Sequence, residues 1–243
     1  MSLQAGTTPQ DSPGAGLRIQ IVDYRLGNLF SVLQACRQVG FDAFVSASPD
    51  QLNDVDGILL PGVGAFGNAM ENLHQLGLLE ALRTTVLAGK PMFGICLGMQ
   101  LLFEESEEFG QHEGLGLLPG RIRRLPEQQL DGRKLRVPNI GWHRIQFTQA
   151  SASHPLRNGI ADGQHMYFVH SYYAAPAASS DCLTMTQYGN LQYCSGVARD
   201  NIVGVQFHPE KSAQEGLLFY RNWAHQLRER KEQIAESRLR NAA

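Results

Sequence analysis

From Leu17 to Ser106, short apolar runs rich in β-branched residues alternate with longer stretches whose apolar positions recur at helical spacing. LRIQIVDY (17–24), FDAFVS (41–46), VDGILLPGVG (55–64) and PMFGIC (91–96) have the composition of buried strands. In GNLFSVLQACRQVG, Leu29, Val32, Leu33, Cys36 and Val39 fall on one helical face and Gly40 supplies the stop, which makes Cys36 a core residue. GNAMENLHQLGLLEALRTTVLAG predicts helix interrupted near Gly77, and LGMQLLFEES after Cys96 predicts an amphipathic helix. Parallel strands need crossover connections, and those are usually helical. The alternation therefore predicts an α/β fold whose mostly parallel sheet is covered on both faces, with its chemistry at the carboxyl ends of the strands.

From about Gly114 the pattern changes to strands with turn-rich connections: GLGLLPGRIRRL, KLRVPNIGWHRIQF, HMYFVHSYYAAP, CLTMTQYG and QYCSGVARDNIVGVQF. No Pro/Ser linker precedes them, so they are expected to extend the same domain as an antiparallel addition. The expected organisation is a flexible polar extension over 1–16, one domain over 17–226, and a charged helical tail over 227–243 whose solvated face frays.

A chain of 243 residues with 43% hydrophobic and 18% charged residues can bury one sizeable core. The formal net charge of −2 gives no electrostatic reason to expect nucleic acid or an anionic membrane as partner. Cys36, Cys96, Cys182 and Cys194 form no CxxC pair, so neither a zinc ribbon nor a disulfide framework is suggested. With no signal-peptide layout and no membrane-length apolar run, the expectation is a cytoplasmic protein.

Cys96 stands in Gly94-Ile95-Cys96-Leu97-Gly98, a G-x-C-x-G between strand and helix, which has the logic of a nucleophile elbow. Small neighbours permit the sharp turn, and N–H groups at a helix start favour a thiolate and can stabilise an oxyanion. A free cysteine is otherwise usually core filler, and the elbow alone leaves both readings open.

Of the eight histidines, His208 differs because it ends the apolar run of IVGVQFHPEKS and is followed by Pro209 and Glu210. In an extended segment residues two apart share a face, so Glu210 can lie beside His208 and fix its tautomer. Cys96, His208 and Glu210 could then be nucleophile, base and orienter in acyl transfer; HPE by itself could equally be an edge-strand turn. The loop PGVGAFG (61–67) is the natural place for a second oxyanion donor. It lacks the lysine-serine ending of a P-loop and the spacing of a dinucleotide fingerprint, and no metal-ligand spacing stands out.

In this order, PGVGAFGNAM, PMFGICLGMQLLFEES, PNIGWHRI, YFVHSYY and GVQFHPEKS resemble the glutaminase-subunit family of imidazole glycerol phosphate synthase, within the class I (triad) glutamine amidotransferases. The resemblance runs from about Leu17 to about Trp223. It implies a flavodoxin-like three-layer αβα fold and hydrolysis of L-glutamine to glutamate and ammonia without a cofactor or metal. It further implies a heterodimer with a (β/α)8-barrel cyclase subunit, which uses the ammonia to make imidazole glycerol phosphate and an aminoimidazole carboxamide ribotide in histidine biosynthesis. Carried over by motif, Cys96 resembles the nucleophile, His208 the general base and acid, and Glu210 its orienting partner. Leu97 and Val63 resemble the oxyanion donors, and Gly62, Gln100, Ser171 and Tyr172 the positions that hold glutamine. Asn28, Trp142, Tyr167 and Lys211 sit where that family meets its partner; on composition alone the two aromatics could be core and the lysine a solvated charge.

One departure is visible. The family usually has DYG near the first strand, whereas Asp23-Tyr24-Arg25 places an arginine where the glycine stands. Two other readings compete: a glutaminase serving another synthase, against which PNIGW and PGVGAF argue, and a catalytically silent scaffold, which has no need for Cys96, His208 and Glu210 together.

Overall fold

The computed structural model describes residues 12–129 and 132–241. Its first half follows the alternation: β1 (Arg18–Val22), α1 (Leu29–Val39), β2 (Asp42–Ser46), β3 (Gly57–Gly62), α2 (Phe66–Gln75), α3 (Leu78–Leu87) and β4 (Met92–Cys96). The break between α2 and α3 falls at Gly77, as its position in the pattern predicts. Asn28 caps α1, its side-chain oxygen accepting the Ser31 N–H.

The helix expected over LGMQLLFEES is not formed as such. α4 (Leu97–Gln100) is a single turn, and the chain returns to the sheet as β5 (Phe103–Ser106). Phe103 and Ser106 are buried while Glu104 and Glu105 face outward, so the segment is partitioned by sheet packing against β7 rather than by helical period. The remaining strands are β6 (His112–Glu113), β7 (Leu118–Arg124), β8 (Asn139–Phe147), β9 (His165–His170), β10 (Tyr172–Pro176), β11 (Cys182–Tyr188), β12 (Leu191–Arg199) and β13 (Ile202–Val205), followed by α5 (Ala213–Asn241).

Among the described residues the sheet runs β2-β1-β3-β4-β13-β12-β10-β7-β5-β6, with β11, β8 and β9 branching from β12. β2, β1, β3, β4 and β13 are mutually parallel. The pairs β12–β13, β10–β12, β7–β10, β11–β12, β8–β11 and β8–β9 are antiparallel. β13 is thus a hairpin partner of β12 on one side and a parallel neighbour of β4 on the other. That insertion brings the segment leading to His208 alongside the strand that ends in Cys96.

Apolar residues fill both faces. On one, Phe219, Tyr220 and Trp223 of α5 and Val32 and Cys36 of α1 pack on Ile19, Phe93 and Val205; on the other, Phe66, Leu73 and Leu82 of α2 and α3 pack with Leu60 and Met99. Each such large apolar side chain contributes about 1.5–3 kcal/mol when withdrawn from water. Cys36 is wholly buried, as its helical position implies, and burial pushes its thiol far up. Of the extension expected over 1–16, residues 1–11 lie outside the described residues; Gly14 N–H donates to Val39 O, and Arg228 donates to the carbonyls of Ser12 and Ala15. α5 continues through the charged segment, exposed at every position from Glu229 to Arg240.

Candidate active site

β4 ends on Cys96 with φ +54°, a left-handed backbone that non-glycine residues rarely adopt. The turn closes because its flanking residues lack side chains: a Cβ on Gly98 would stand 1.7 Å from the Leu60 carbonyl oxygen, and one on Gly94 would stand 2.8 Å from the Met99 Cα. The thiol is thereby lifted to the carboxyl edge of the sheet. α4 being one turn long, little macrodipole builds up there, but the N–H groups of its first turn still lack intrahelical acceptors.

The Cys96 sulfur lies 3.8 Å from the Val169 carbonyl and 3.6 Å from Nε2 of Gln206. His208 Nδ1 is 2.8 Å from Glu210 Oε1, with side-chain exposures of only 3% and 1%. The approach has a different local origin from the extended spacing expected of HPE: Pro209–Lys211 is a 3-10 turn, and that turn swings the carboxylate beneath the ring. The turn is tied to β9, since His208 N–H donates to Tyr167 O and Tyr167 N–H donates to Ser212 Oγ. His208 Nε2 and Glu210 Oε2 make no hydrogen bond of ordinary geometry among the described residues. Burial pulls the His208 pKa down, but the neighbouring Cys96 and the hydrogen-bonded Glu210 carboxylate override it and push the imidazole up to about 10. The arrangement therefore favours a protonated imidazole beside Cys96.

Cys96, Leu97, Gln100, Val63, Ser171 and Tyr172 line one cavity of about 260 Å³. Gly62 does not line it but pairs with Cys96 in the β3–β4 register. A larger groove beneath α5, about 460 Å³, is remote from these residues, and charged side chains on its wall are already engaged, Lys231 with Asp56 and Arg230 with the Gly89 carbonyl.

Trp142 and Tyr167 are register partners on β8 and β9, stacked edge to face at 5.9 Å, and the Lys211 ammonium lies 6.0 Å from the Tyr167 ring. Trp142 is 51% exposed and is not a core aromatic. Asn28 is engaged as the cap of α1, and α1 packs against the turn that carries Lys211. Arg25 adopts φ +69°, its N–H held by Asp23 Oδ1 at 2.9 Å, a conformation that glycine takes without strain.

Three residues of the site gave little sign of themselves in the sequence. Glu108 lines the cavity from the loop after β5; its Oε2 accepts the Phe66 N–H at 2.6 Å, and burial raises its pKa. His170, buried on the same wall, donates from Nδ1 to the Tyr172 carbonyl at 2.8 Å, and burial lowers its pKa to about 4. Tyr24 places against Gly62 a buried hydroxyl that has no hydrogen-bond partner among the described residues. Gln206 did leave a signal: an amide inside the apolar run IVGVQF has to find polar partners once the strand is buried.

The family model for class-I glutamine amidotransferases matches residues 20–226. The imidazole glycerol phosphate synthase subunit HisH of Sulfurimonas denitrificans is 45% identical over 205 residues, covering 84% of this chain and 96% of that protein. The HisH subunit of Symbiobacterium thermophilum is 48% identical over 206 residues, covering 85% and 92%. Among solved structures, PurLQS from Thermotoga maritima superposes with a TM-score of 0.67 at 17% identity over 87% of this chain and 99% of that one. The Trypanosoma brucei CTPS glutaminase domain with bound acivicin superposes with a TM-score of 0.58 at 16% identity, over 86% and 93%. The chain belongs to the class-I glutamine amidotransferases and, within them, to the family of imidazole glycerol phosphate synthase subunit HisH. No helix of the described residues is long and apolar enough to cross a membrane.

Proposed function

We propose that this chain hydrolyses L-glutamine to glutamate and ammonia and delivers the ammonia to the cyclase subunit of imidazole glycerol phosphate synthase, in the cytoplasm, as a heterodimer with a (β/α)8 barrel. The cyclase then forms imidazole glycerol phosphate and the aminoimidazole carboxamide ribotide. The observation that carries the reading is a raised, carboxylate-held imidazole coupled to a cysteine that sits at φ +54° in a strand-to-helix elbow.

The Cys96 sulfur attacks the carboxamide carbon of glutamine. The oxygen of the tetrahedral adduct accepts from the N–H groups of Leu97 and Val63. His208 gives its Nε2 proton to the leaving nitrogen, the C–N bond breaks, and ammonia departs from a thioester. His208, now neutral, takes a proton from water as that water attacks the thioester, and Cys96 is released with glutamate. Glu210 holds the ring throughout. Ser171 and Tyr172 hold the substrate, with Gly62 behind them fixing the loop, Gln100 offers a side-chain oxygen, and Glu108 places a carboxylate on the cavity wall where an α-ammonium group would need an acceptor. Trp142, Tyr167, Lys211 and Asn28 form the face toward the cyclase.

An electrophilic glutamine analogue tests the assignment. Peptide mapping is expected to find the label on Cys96 alone, because Cys36, Cys182 and Cys194 are buried and do not line the cavity. Label on any of those three instead would overturn it.

A further inference from the structure

Gln206 directly follows β13, is completely buried, and has its main-chain N–H bonded to the Ser195 carbonyl. Nothing in the backbone demands an amide there; leucine or methionine would fill the space without the roughly 1–3 kcal/mol that an unpaired buried polar group costs. Its side chain is spent on the active site instead. Nε2 lies 3.6 Å from the Cys96 sulfur, and Oε1 lies 2.9 Å from Nε2 of Gln100.

The direction of these bonds follows from a main-chain group. The Tyr172 carbonyl can only accept, so the Gln100 atom 2.9 Å away from it is the nitrogen. That same nitrogen approaches Gln206, so the Gln206 atom facing it must be the oxygen. The remaining atom of the Gln206 amide, its NH2, is therefore the one that faces sulfur. Donation thus runs outward from Gln100, one way to the Tyr172 carbonyl and the other way to Gln206, whose NH2 donates in turn to Cys96. With its nitrogen committed at both contacts, Gln100 has its oxygen left to meet a ligand in the cavity.

The two neighbours of the sulfur act on opposite protonation states. The Val169 carbonyl can only accept, so it bonds the thiol; the Gln206 N–H can only donate, so it bonds the thiolate more strongly. We propose that Gln206 is a further active-site residue that holds Cys96 as its thiolate and ties the sulfur to the substrate-side Gln100. The inference rests on the glutaminase reading above and adds to it a donor on the nucleophile itself.

The test uses the full chain with Gln206→Met, which keeps the volume and removes both polar contacts. Iodoacetamide alkylation of Cys96 is followed by peptide mapping across a pH series, beside glutamate release by the complex with the cyclase. Loss of a hydrogen bond to a charged group moves the alkylation midpoint to higher pH by about one unit and lowers glutaminase kcat about tenfold. A midpoint identical to that of the unaltered chain would overturn the proposal. Alkylation needs no turnover, so absence of glutamate release by the unaltered complex would sink the glutaminase reading while the midpoint still decides on Gln206. Should the variant not fold, the side-chain NH2 resonance of Gln206 in the 15N-labelled unaltered chain is followed over the same series. It is expected to shift at the pH at which Cys96 becomes reactive; an invariant resonance would refute the contact.

Discussion

His208 and Glu210 meet through Nδ1 and Oε1 at 2.8 Å with both side chains almost fully buried, so one carboxylate sets both the tautomer and the tilt of the imidazole. Glu210→Gln keeps the shape and removes the charge. Glutamine hydrolysis is expected to fall by about 10²- to 10⁴-fold, with KM little changed, because the loss is felt when the ring must carry a proton. Synthesis supported by added ammonium salt should be unaffected. A drop of less than threefold in kcat would remove Glu210 from the catalytic set.

Cys96→Ala is expected to abolish glutamine-dependent product formation and to leave the ammonium-dependent reaction intact. Loss of both would mean that the cysteine acts structurally or at the interface. The substitution also has a pH signature. A histidine whose folded pKa rises from 6.5 to about 10 contributes stability that is complete below 6.5 and is lost as pH climbs through 10. Urea unfolding should therefore show the unaltered chain weakening across that window, with the slope flattened in Cys96→Ala. Parallel curves would contradict the raising of the His208 pKa by Cys96.

Trp142 stacks on Tyr167 and is half exposed, which gives it much to lose on contact with a partner and little on folding. Trp142→Ala is expected to weaken association with the cyclase by about 30-fold, the usual consequence of losing a central aromatic anchor of roughly 2 kcal/mol. Thermal stability should change by less than about 1 kcal/mol. Unchanged affinity by calorimetry would move the interface away from β8.

Arg25 occupies φ +69°, where a side chain clashes with its own backbone. Arg25→Gly is expected to raise stability by about 0.5–1 kcal/mol, the left-handed strain relieved less the added freedom of the unfolded chain. Chemical denaturation measures it; a loss of stability would show that the arginine side chain supports the loop.

The alternation of periods made the parallel half of the fold legible, since fully buried strands and amphipathic helices differ in period. Cys96 and His208 were legible because the one ends an apolar strand and the other closes the apolar run that follows one, each beside residues chosen for backbone geometry. LGMQLLFEES was misjudged because ten residues with buried Leu101, Leu102 and Phe103 satisfy a helical stripe as well as a turn entering a strand; packing against β7 decides between them. Glu108 lies in a loop, where no period exists, and its place in the cavity depends on α2 presenting the Phe66 N–H. The contact between His208 and Glu210 was foreseen, but through extended spacing rather than through the 3-10 turn that makes it.

Among the described residues β13 is the last strand in the chain, yet it occupies an inner slot of the sheet, between β4 and β12. Until those last strand residues leave the ribosome, the strand carrying the thiol has one open edge and the hairpin that brings the base has not formed. A polypeptide that has not yet reached β13 holds the cysteine without the base, and the two halves of the site come together only with the closing of the sheet.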